Sequence, residues 1–314
     1  MIVTVTLNPA IDRTIVIEDF QIDHVNPVKS TQRDAAGKGI NVGKVLDRLG
    51  FEPLLTGFLA GQNGHFIKEN LNALKLDHHF IQVVGETREN LKIWPLNLRK
   101  MIELNEDGPL FQEDAYDRLE RYLEDRLSAG DWLVLSGSLP KGAPTDLYAR
   151  LIKRSHVRGV KTVLDASNQA LEEGLKAHPT ILKPNRQELE TLAGKPLPTL
   201  EDIKGFLRDP RFDNVEDIYV TLGHQGALAK QGTRWLFANP LTLETKSTVG
   251  AGDAFVAGLM VAKAKGHGFE ETLKYASATA SAATQTEGTT PPAPYDIQTL
   301  FTQIILKEEK EGKQ

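Results

Sequence analysis

Apolar runs alternate with amphipathic segments through the middle of the chain. Four runs have the length and composition of buried strands, at residues 131–136, 160–165, 179–184 and 217–223. The segments between them have the spacing of apolar positions that is typical of helices. Strands that alternate with helices indicate right-handed crossovers and a mostly parallel sheet covered by helices on both faces. The pattern therefore predicts an α/β fold.

Polar residues and glycines follow each of these predicted strands. They include Ser136, Asp165, Lys183 and Thr221. The carboxyl ends of parallel strands meet at one edge of a sheet, which is where such sheets bind ligands. The sequence therefore predicts a ligand site built from these strand ends.

Two segments interrupt the alternation of strands and helices. Residues 12–34 and 88–105 have strand composition and no helical period, so they predict a small second sheet that acts as a lid over the edge of the main sheet. The C-terminal part is predicted to form helices. The polar residues 307–314 are predicted to be a frayed tail beyond a single domain of residues 1–306.

Composition and charge exclude several classes of protein. The 314 residues include no cysteine, which excludes disulfides, thiolate metal sites and cysteine nucleophiles. There are 37 basic and 42 acidic residues and no basic stripe, which argues against nucleic acid as a partner. No apolar run approaches the roughly 18–20 residues of a membrane span, and the start lacks the basic leader of a signal peptide. We expect a cytoplasmic protein that acts on a small molecule.

The most informative motif is STVGAGDAF at residues 247–255. Its small residues precede a predicted helix, whose first N–H groups are unpaired and carry partial positive charge that suits a phosphate. Asp253 then lies beside this anion site. The alternative interpretation is an ordinary helix cap. Phe255 replaces the third glycine of a dinucleotide-binding motif, and no Walker motif is present.

A second glycine-rich motif, AAGKGINV, spans residues 35–42. It leads into a predicted helix and contains Lys38. The alternative is a loop that carries a solvated lysine.

The motif TRENLKI at residues 87–93 would place Arg88, Asn90 and Lys92 on one face of a strand. Two cations and an amide could bind a sugar phosphate, and arginine does so through two parallel hydrogen bonds. The alternative is the solvated face of an edge strand.

Two further motifs follow predicted strands. Asn185 and Glu188 share a helical face and could hold Mg²⁺ through oxygen atoms, although they also match a helix-capping box. The glycine pair Gly223 and Gly226 could contact a nucleotide or could form only a tight turn.

The motifs together resemble the ribokinase-like PfkB carbohydrate kinases, in particular the branch of 1-phosphofructokinases and tagatose-6-phosphate kinases. The resemblance covers roughly residues 1–290 and rests on seven motifs in the family's order. These are TLNPAID, AAGKGINV, TRENLKI, LSGSLP, LKPNRQELE, TLGHQGA and STVGAGDAF. The resemblance implies a three-layer αβα fold with a β-sheet lid, the use of ATP and Mg²⁺, and a homodimer that forms through the lids.

The resemblance also implies roles for individual residues. Asp253 would be the general base, and the anion hole would consist of Gly250, Ala251 and Gly252. Mg²⁺ would be positioned by Asn185 and Glu188. ATP would contact Lys183, Thr221, Gly223, Gly226, Ser247, Thr248 and Val249. The sugar phosphate would contact Asp12, Gly37, Lys38, Asn41, Arg88 and Ser138, with Lys38 and Arg88 on its phosphate.

These roles agree with the chemistry of phosphoryl transfer, which depends mainly on positioning and on stabilisation of charge. We expect the pKa of Asp253 to lie near the usual value of about 3.9, which leaves it ionised at neutral pH. The cations Arg88 and Lys92 suit a substrate that is already a dianion. Ala36 replaces a glycine that is common in the family, and Asn168 also departs from its pattern, but neither change removes a charged catalytic group.

The activity predicted first is the ATP-dependent conversion of fructose 1-phosphate to fructose 1,6-bisphosphate. The alternatives are a tagatose-6-phosphate kinase or a 6-phosphofructokinase, in which the other end of the sugar is phosphorylated. A sugar-phosphate sensor without activity is a further alternative, but both Asp253 and Glu188 are present. A nicotinamide-dependent dehydrogenase is disfavoured by the missing third glycine.

Overall fold

A large, mostly parallel sheet forms the centre of the protein. The computed structural model describes residues 1–98 and 100–309, and within them this sheet has ten strands. Its strands are β1 (Ile2–Thr6), β4 (Leu54–Ala60), β5 (His78–Val83), β8 (Trp132–Ser136), β9 (Lys161–Asp165), β10 (Ile181–Leu182), β11 (Asp217–Thr221), β12 (Ala227–Gln231), β13 (Arg234–Ala238) and β14 (Leu306–Glu308).

The strand order is β14-β13-β12-β11-β10-β9-β8-β1-β4-β5. The strands β11, β10, β9, β8, β1, β4 and β5 pair in parallel with their neighbours. Strands β12, β13 and β14 continue the sheet beyond β11, and each pairs antiparallel with the strand before it. Strands β1, β4 and β8 are buried along their whole length, as a parallel strand covered on both faces should be. Their continuous apolar runs therefore reflect burial on both faces.

Helices cover both faces of the sheet. The helices are α1 (Lys38–Arg48), α2 (Gly61–Ala73), α3 (Glu113–Arg126), α4 (Leu147–Val157), α5 (Asn168–Leu175), α6 (Arg186–Ala193), α7 (Leu200–Phe206), α8 (Ala251–Ala264), α9 (Phe269–Ala283) and α10 (Pro294–Gln303). Alternate residues of a central strand point to opposite faces: Leu133 belongs to the apolar cluster that includes residues of α3 to α7, and Val134 to the cluster that includes residues of α1, α8, α9 and α10. The predicted three-layer αβα fold is confirmed.

A smaller sheet of four strands lies outside these layers. Its strands are β2 (Ala10–Ile17), β3 (Val28–Ala36), β6 (Arg88–Pro95) and β7 (Ile102–Asn105), in the order β3-β2-β6-β7. Strands β2 and β6 pair in parallel, with Asp12 opposite Asn90. We call this sheet the lid. Strand β2 begins four residues after β1 ends, so the lid starts at the carboxyl edge of the main sheet.

The C-terminal residues differ from the sequence prediction. Residues 306–308 pair with β13 as strand β14, so the prediction of a frayed tail from residue 307 is wrong as far as Glu308. Edge-strand hydrogen bonds hold this polar segment, and such bonds do not require apolar side chains. Residues 310–314 of the predicted tail lie outside the described residues.

No helix within residues 1–98 and 100–309 is both long enough and apolar enough to cross a membrane.

Candidate active site

A cavity of about 550 Å³ opens at the carboxyl edge of the main sheet. This is the edge at which the polar strand ends predicted a ligand site. Eleven of the predicted site residues line the cavity, and they come from both glycine-rich motifs and from the ends of two strands, β10 and β11. They are Lys38, Lys183, Asn185, Thr221, Gly223, Gly226, Thr248, Gly250, Ala251, Gly252 and Asp253.

Asp253 lies in the first turn of α8 and is buried. Gly250, which precedes the helix, has a φ of 79°. This left-handed conformation favours glycine and turns the chain so that the helix starts at the cavity wall. The first N–H groups of α8 therefore face the same space as the Asp253 carboxylate, and the combination can hold an anion beside a proton acceptor.

The pKa of Asp253 is raised to about 6. Burial is the main cause, and the negative charge of Asp165 adds to it, while Lys38, a hydrogen bond from Asn41 and Lys183 act in the opposite direction. The expected pKa near 3.9 is therefore wrong. A carboxylate with a pKa of about 6 is a stronger base than an ordinary aspartate and is still mostly ionised at neutral pH.

Asp165 lies at the end of β9 and organises the cations of the site. Its Oδ1 accepts from Lys183 Nζ at 2.9 Å and from Lys38 Nζ at 3.2 Å. Burial opposes the charge of Asp165, but these two lysines outweigh burial and lower its pKa. Sequence reasoning noted Asp165 only as a polar strand end and assigned it no role. Its position at the end of a buried strand was the signal that could have identified it.

Lys38 faces the cavity with 38% of its side chain exposed. Burial acts to lower its pKa, but the carboxylates of Asp165, Glu188 and Asp253 outweigh burial and raise it. Lys38 is therefore a permanent cation at the cavity. Its predicted contact with the substrate phosphate remains a prediction.

Asn185 and Glu188 form the capping box that was the alternative interpretation of their spacing. Asn185 Oδ1 accepts from the Glu188 N–H, and Glu188 Oε2 accepts from the Asn185 N–H, both at 2.8 Å. The other carboxylate oxygen, Oε1, lies 3.8 Å from Lys38 Nζ. The capping box thus holds Glu188 Oε1 near Lys38, while the hydrogen bonds of the box themselves use only Oε2 and the Glu188 N–H.

The donors present fit Mg²⁺ only as a loosely held ion. Among the described residues, no group of three or more acidic, histidine or cysteine side chains is placed to hold a metal. Mg²⁺ commonly binds through one or two protein oxygens and completes its shell with water and substrate phosphates. Asn185 and Glu188 can supply such oxygens.

On the lid, Asp12 is held by two neighbours across the sheet. Lys92 Nζ lies 2.6 Å from Asp12 Oδ2, and Asn90 donates to Asp12 Oδ1 at 3.0 Å. Lys92 is buried, so the solvated-face alternative does not describe it. The charge of Lys92 is paired with that of Asp12, and a contact of Lys92 with the substrate phosphate stays a prediction. The parallel register of β2 and β6 places these side chains next to each other.

Arg88 lies where the lid meets the loops of the main sheet. Its guanidinium donates to the Asn8 carbonyl, the Asn90 side chain and the Glu106 carbonyl. Asn8 in turn donates from its amide to Ser138 Oγ at 3.3 Å and to the Leu139 carbonyl at 3.3 Å. Arg88 and Ser138 are therefore joined through Asn8. Sequence reasoning assigned no role to Asn8, although it lies within the TLNPAID motif.

Gly37 permits close contact between α1 and β1. It has a φ of 128°, and a Cβ there would lie 2.7 Å from Thr6 Cγ2 and 3.1 Å from Pro9 Cα. The entry to α1 thus packs directly on the end of β1. This packing brings Asn41 to Asp253, where its amide donates at 2.8 Å.

The nucleotide-contact predictions fall into two groups. Thr221, Gly223, Gly226 and Thr248 line the cavity. Ser247 and Val249 are outside the set of lining residues, and Ser247 Oγ accepts from the Val249 N–H at 3.1 Å, which shapes the turn before α8. The cavity also has an apolar wall that includes Leu241, Leu243 and Ile304. No motif in the sequence predicts this wall.

Comparison with known proteins supports a common origin for this arrangement. The family described as pfkB family carbohydrate kinase matches residues 5–296. A tagatose-6-phosphate kinase of Staphylococcus epidermidis is 36% identical over 281 residues, which cover 88% of this chain and 90% of that protein.

Two solved structures illustrate the likeness of the fold. Phosphofructokinase-2 from Escherichia coli, in complex with potassium, is 26% identical with a TM-score of 0.91 and coverage of 96% of this chain and 98% of that one. It has also been solved as a tetrameric inhibited form. A possible 1-phosphofructokinase from Thermotoga maritima is 27% identical with a TM-score of 0.84 and coverage of 99% and 100%.

Proposed function

The chain belongs to the pfkB family of carbohydrate kinases, and we propose that it transfers the γ-phosphoryl group of ATP to a hydroxyl of a ketohexose phosphate. The observation that carries the proposal is the placement of Asp253. Its buried carboxylate lies at the N-terminus of α8 and beside the cations Lys38 and Lys183. A proton acceptor and a site for a transferring phosphoryl group are thus in one cavity.

The general base is Asp253. It accepts the proton of the sugar hydroxyl while that oxygen forms its bond to the γ-phosphorus, and the bond between the γ-phosphorus and the bridging oxygen breaks to leave ADP. The Asn41 amide orients the carboxylate at 2.8 Å. The raised pKa makes proton transfer easier without leaving the group protonated at neutral pH.

The negative charge of the reaction is met by fixed positive groups. The N-terminus of α8, with Gly250, Ala251 and Gly252, offers N–H groups to the transferring phosphoryl. Asp165 holds Lys183 at 2.9 Å, so this cation is positioned before any ligand binds. Mg²⁺ supplies further positive charge to the phosphate oxygens, and Asn185 and Glu188 are the residues that would hold it.

The sugar phosphate would bind between the lid and the main sheet. Asp12 and Asn41 would contact its hydroxyls, and Arg88, Lys38 and Ser138 would contact the rest of the substrate. Asp12 is held by Lys92 and Asn90, which leaves Arg88 and Lys38 as the cations for the substrate phosphate.

Fructose 1-phosphate is the substrate we propose first. A specific observation favours tagatose 6-phosphate as the second candidate, because the relative of that name from S. epidermidis is 36% identical over most of the chain. Both substrates present a phosphate at one end of a ketohexose and a primary hydroxyl at the other. A site with one phosphate contact and one base could accept either in opposite orientations.

A coupled assay of ADP release tests the proposal. Fructose 1-phosphate, fructose 6-phosphate, tagatose 6-phosphate and fructose are compared by kcat/KM with Mg-ATP, and Asp253→Asn serves as the control for contaminating kinases. The highest value on fructose 1-phosphate supports the first substrate. The highest kcat/KM on a 6-phosphate would mean that the sugar binds in the reverse orientation. No activity on any of the four sugars contradicts the proposed function.

The lid would also form the contact between two copies of the chain. Its strands expose Val28 (53% exposed) and Leu104 (54%), and the loop that joins β2 to β3 exposes Ile22 (78%) and Val25 (95%). Single apolar side chains on a surface are common, but several on one small sheet and its connecting loop indicate an interaction surface. Light scattering after size exclusion tests the proposal, with a dimer as the expected result. Val25→Asp and Leu104→Asp should shift the protein to the monomer.

A further inference from the structure

The C-terminal segment, residues 304–309, forms part of the cavity wall. Ile304 is buried and lines the cavity together with Leu241 and Leu243. This apolar wall is built largely from residues that follow β13, together with Ile304. The segment is therefore in position to influence what binds in that part of the cavity.

Strand pairing connects the segment to a second residue of the wall. Ala238 of β13 lies opposite Leu306 of β14, and the Asn239 N–H donates to the Ile305 carbonyl at 3.0 Å. Asn239 itself lines the cavity. Any shift of β14 would thus move two lining residues, Ile304 and Asn239.

An ion pair fastens the far end of the segment. Glu309 Oε2 lies 2.9 Å from Lys204 Nζ, and the Lys204 side chain is only 1% exposed. Lys204 also pairs with Glu201 at 2.9 Å, but Glu201 belongs to the same helix, α7. Glu309 therefore ties α7 to the C-terminal segment. A buried cation strongly favours keeping its carboxylate partners close.

The segment is far from the sugar side of the site. Strands β14 and β1 are seven steps apart in the sheet order, and strands lie about 4.8 Å apart, so the two are separated by roughly 34 Å. The lid continues directly from β1. A change in the segment should therefore affect the two ligands unequally.

We propose that Glu309 is a positioning residue for the nucleotide: through Lys204 it holds residues 304–309 against β13 and keeps Ile304 and Asn239 in the wall of the nucleotide-binding end of the cavity. The inference rests on the proposed function, since it takes this cavity to hold ATP. Loss of the Glu309 charge loosens the wall and weakens nucleotide binding. Binding of the sugar phosphate is unaffected.

The test uses the full chain and the variant Glu309→Gln. Glu308→Gln is the matched control, because Glu308 is the preceding residue of the same segment and pairs with Arg234 at 3.5 Å on the surface. Calorimetry measures the Kd for ADP without any sugar. We expect Glu309→Gln to raise this Kd roughly five- to tenfold, within the range of couplings between linked sites. Glu308→Gln should leave it unchanged, and Glu309→Asp should restore part of the affinity.

Steady-state kinetics supply the second readout. In Glu309→Gln, the KM for ATP should rise by about the same factor as the Kd for ADP. The KM for the sugar phosphate should stay constant. Ile304→Val removes one carbon from the wall without touching the ion pair, and we expect it to weaken ADP binding roughly fourfold, the value of one buried CH₂ group.

Three results would overturn the inference. They are an unchanged Kd for ADP in Glu309→Gln, an unchanged Kd in Ile304→Val, or an equal rise of both KM values in Glu309→Gln. Failure of the proposed function gives a different result, because the unaltered protein would then not bind ADP at all.

Discussion

Asn41 donates a hydrogen bond of 2.8 Å to Asp253, although the two residues are 212 positions apart in the chain. The bond joins the start of α1 to the start of α8. It orients the carboxylate that we assign as the general base. The Asn41 Oδ1 atom is buried and has no hydrogen-bond partner among the described residues, so it can accept from a substrate hydroxyl.

The raised pKa of Asp253 predicts an acidic limit to activity. A general base must be deprotonated, so kcat/KM for the sugar phosphate should fall about tenfold per pH unit as the pH drops below about 6. A phosphate group also titrates near pH 6, so the profile alone does not identify the base. The variant Asn41→Ala distinguishes titration of Asp253 from titration of the substrate phosphate. It removes a hydrogen bond that lowers the pKa of Asp253 and should move the midpoint to higher pH, whereas titration of the substrate would leave the midpoint in place.

Asp253→Asn should abolish most of the turnover and preserve nucleotide binding. The amide cannot accept the proton, and loss of a general base commonly reduces the rate about 10²- to 10⁴-fold. The side chain keeps its size and can still accept from Asn41. The measurements are kcat with saturating substrates and the Kd for ADP. A variant with the rate of the unaltered enzyme would remove Asp253 from the mechanism.

The same substitution should stabilise the folded protein at neutral pH. Folding raises the pKa of Asp253 from 3.8 to about 6, so the folded state binds more protons between these values and loses stability as the pH rises through this window. One pKa unit corresponds to 1.36 kcal/mol, so ionised Asp253 costs about 3 kcal/mol at neutral pH. Thermal unfolding should show a higher Tm for Asp253→Asn at pH 7.5. The difference should shrink towards pH 4, and an equal difference at both pH values would contradict this account.

Arg88→Ala should weaken binding of the sugar phosphate selectively. The guanidinium is held by the Asn8 carbonyl, the Asn90 side chain and the Glu106 carbonyl, at the junction of the lid and the main sheet. A hydrogen bond to a charged group is worth about 1.5–3 kcal/mol, so the KM for the sugar phosphate should rise roughly 10- to 100-fold. Arg88→Lys keeps the charge but not the planar fork and should give an intermediate KM. Equal changes in the KM values of ATP and sugar phosphate would place Arg88 outside the substrate site.

Local patterns were sufficient for the architecture of the molecule. The buried strands at 132–136 and 161–165 coincide with the apolar runs, because a strand covered on both faces must be apolar along its length. Asn185 and Glu188 form the capping box that their spacing of three predicted, since both partners lie within one turn of the same helix. The glycines before α8 likewise marked a helix start that now faces the cavity.

The roles of charged residues were decided by contacts between distant parts of the chain. Lys92 looked like a free cation on a lid strand, but the pairing of β6 with β2 places it 2.6 Å from Asp12, which lies 80 positions away. Asp165 showed only as a polar strand end, and folding makes it the common partner of Lys38 and Lys183.

The sequence by itself determined the fold class, the family and the residue types available for phosphoryl transfer, because these depend on periodicity and on short motifs. Only the tertiary structure decided the basicity of Asp253, the pairing of Lys92 and the ordering of residues 306–308 in a strand. Each of these depends on burial or on partners that the fold brings from far along the chain. Desolvation and ion pairing act over a few ångströms in space, and distance along the sequence does not report such proximity.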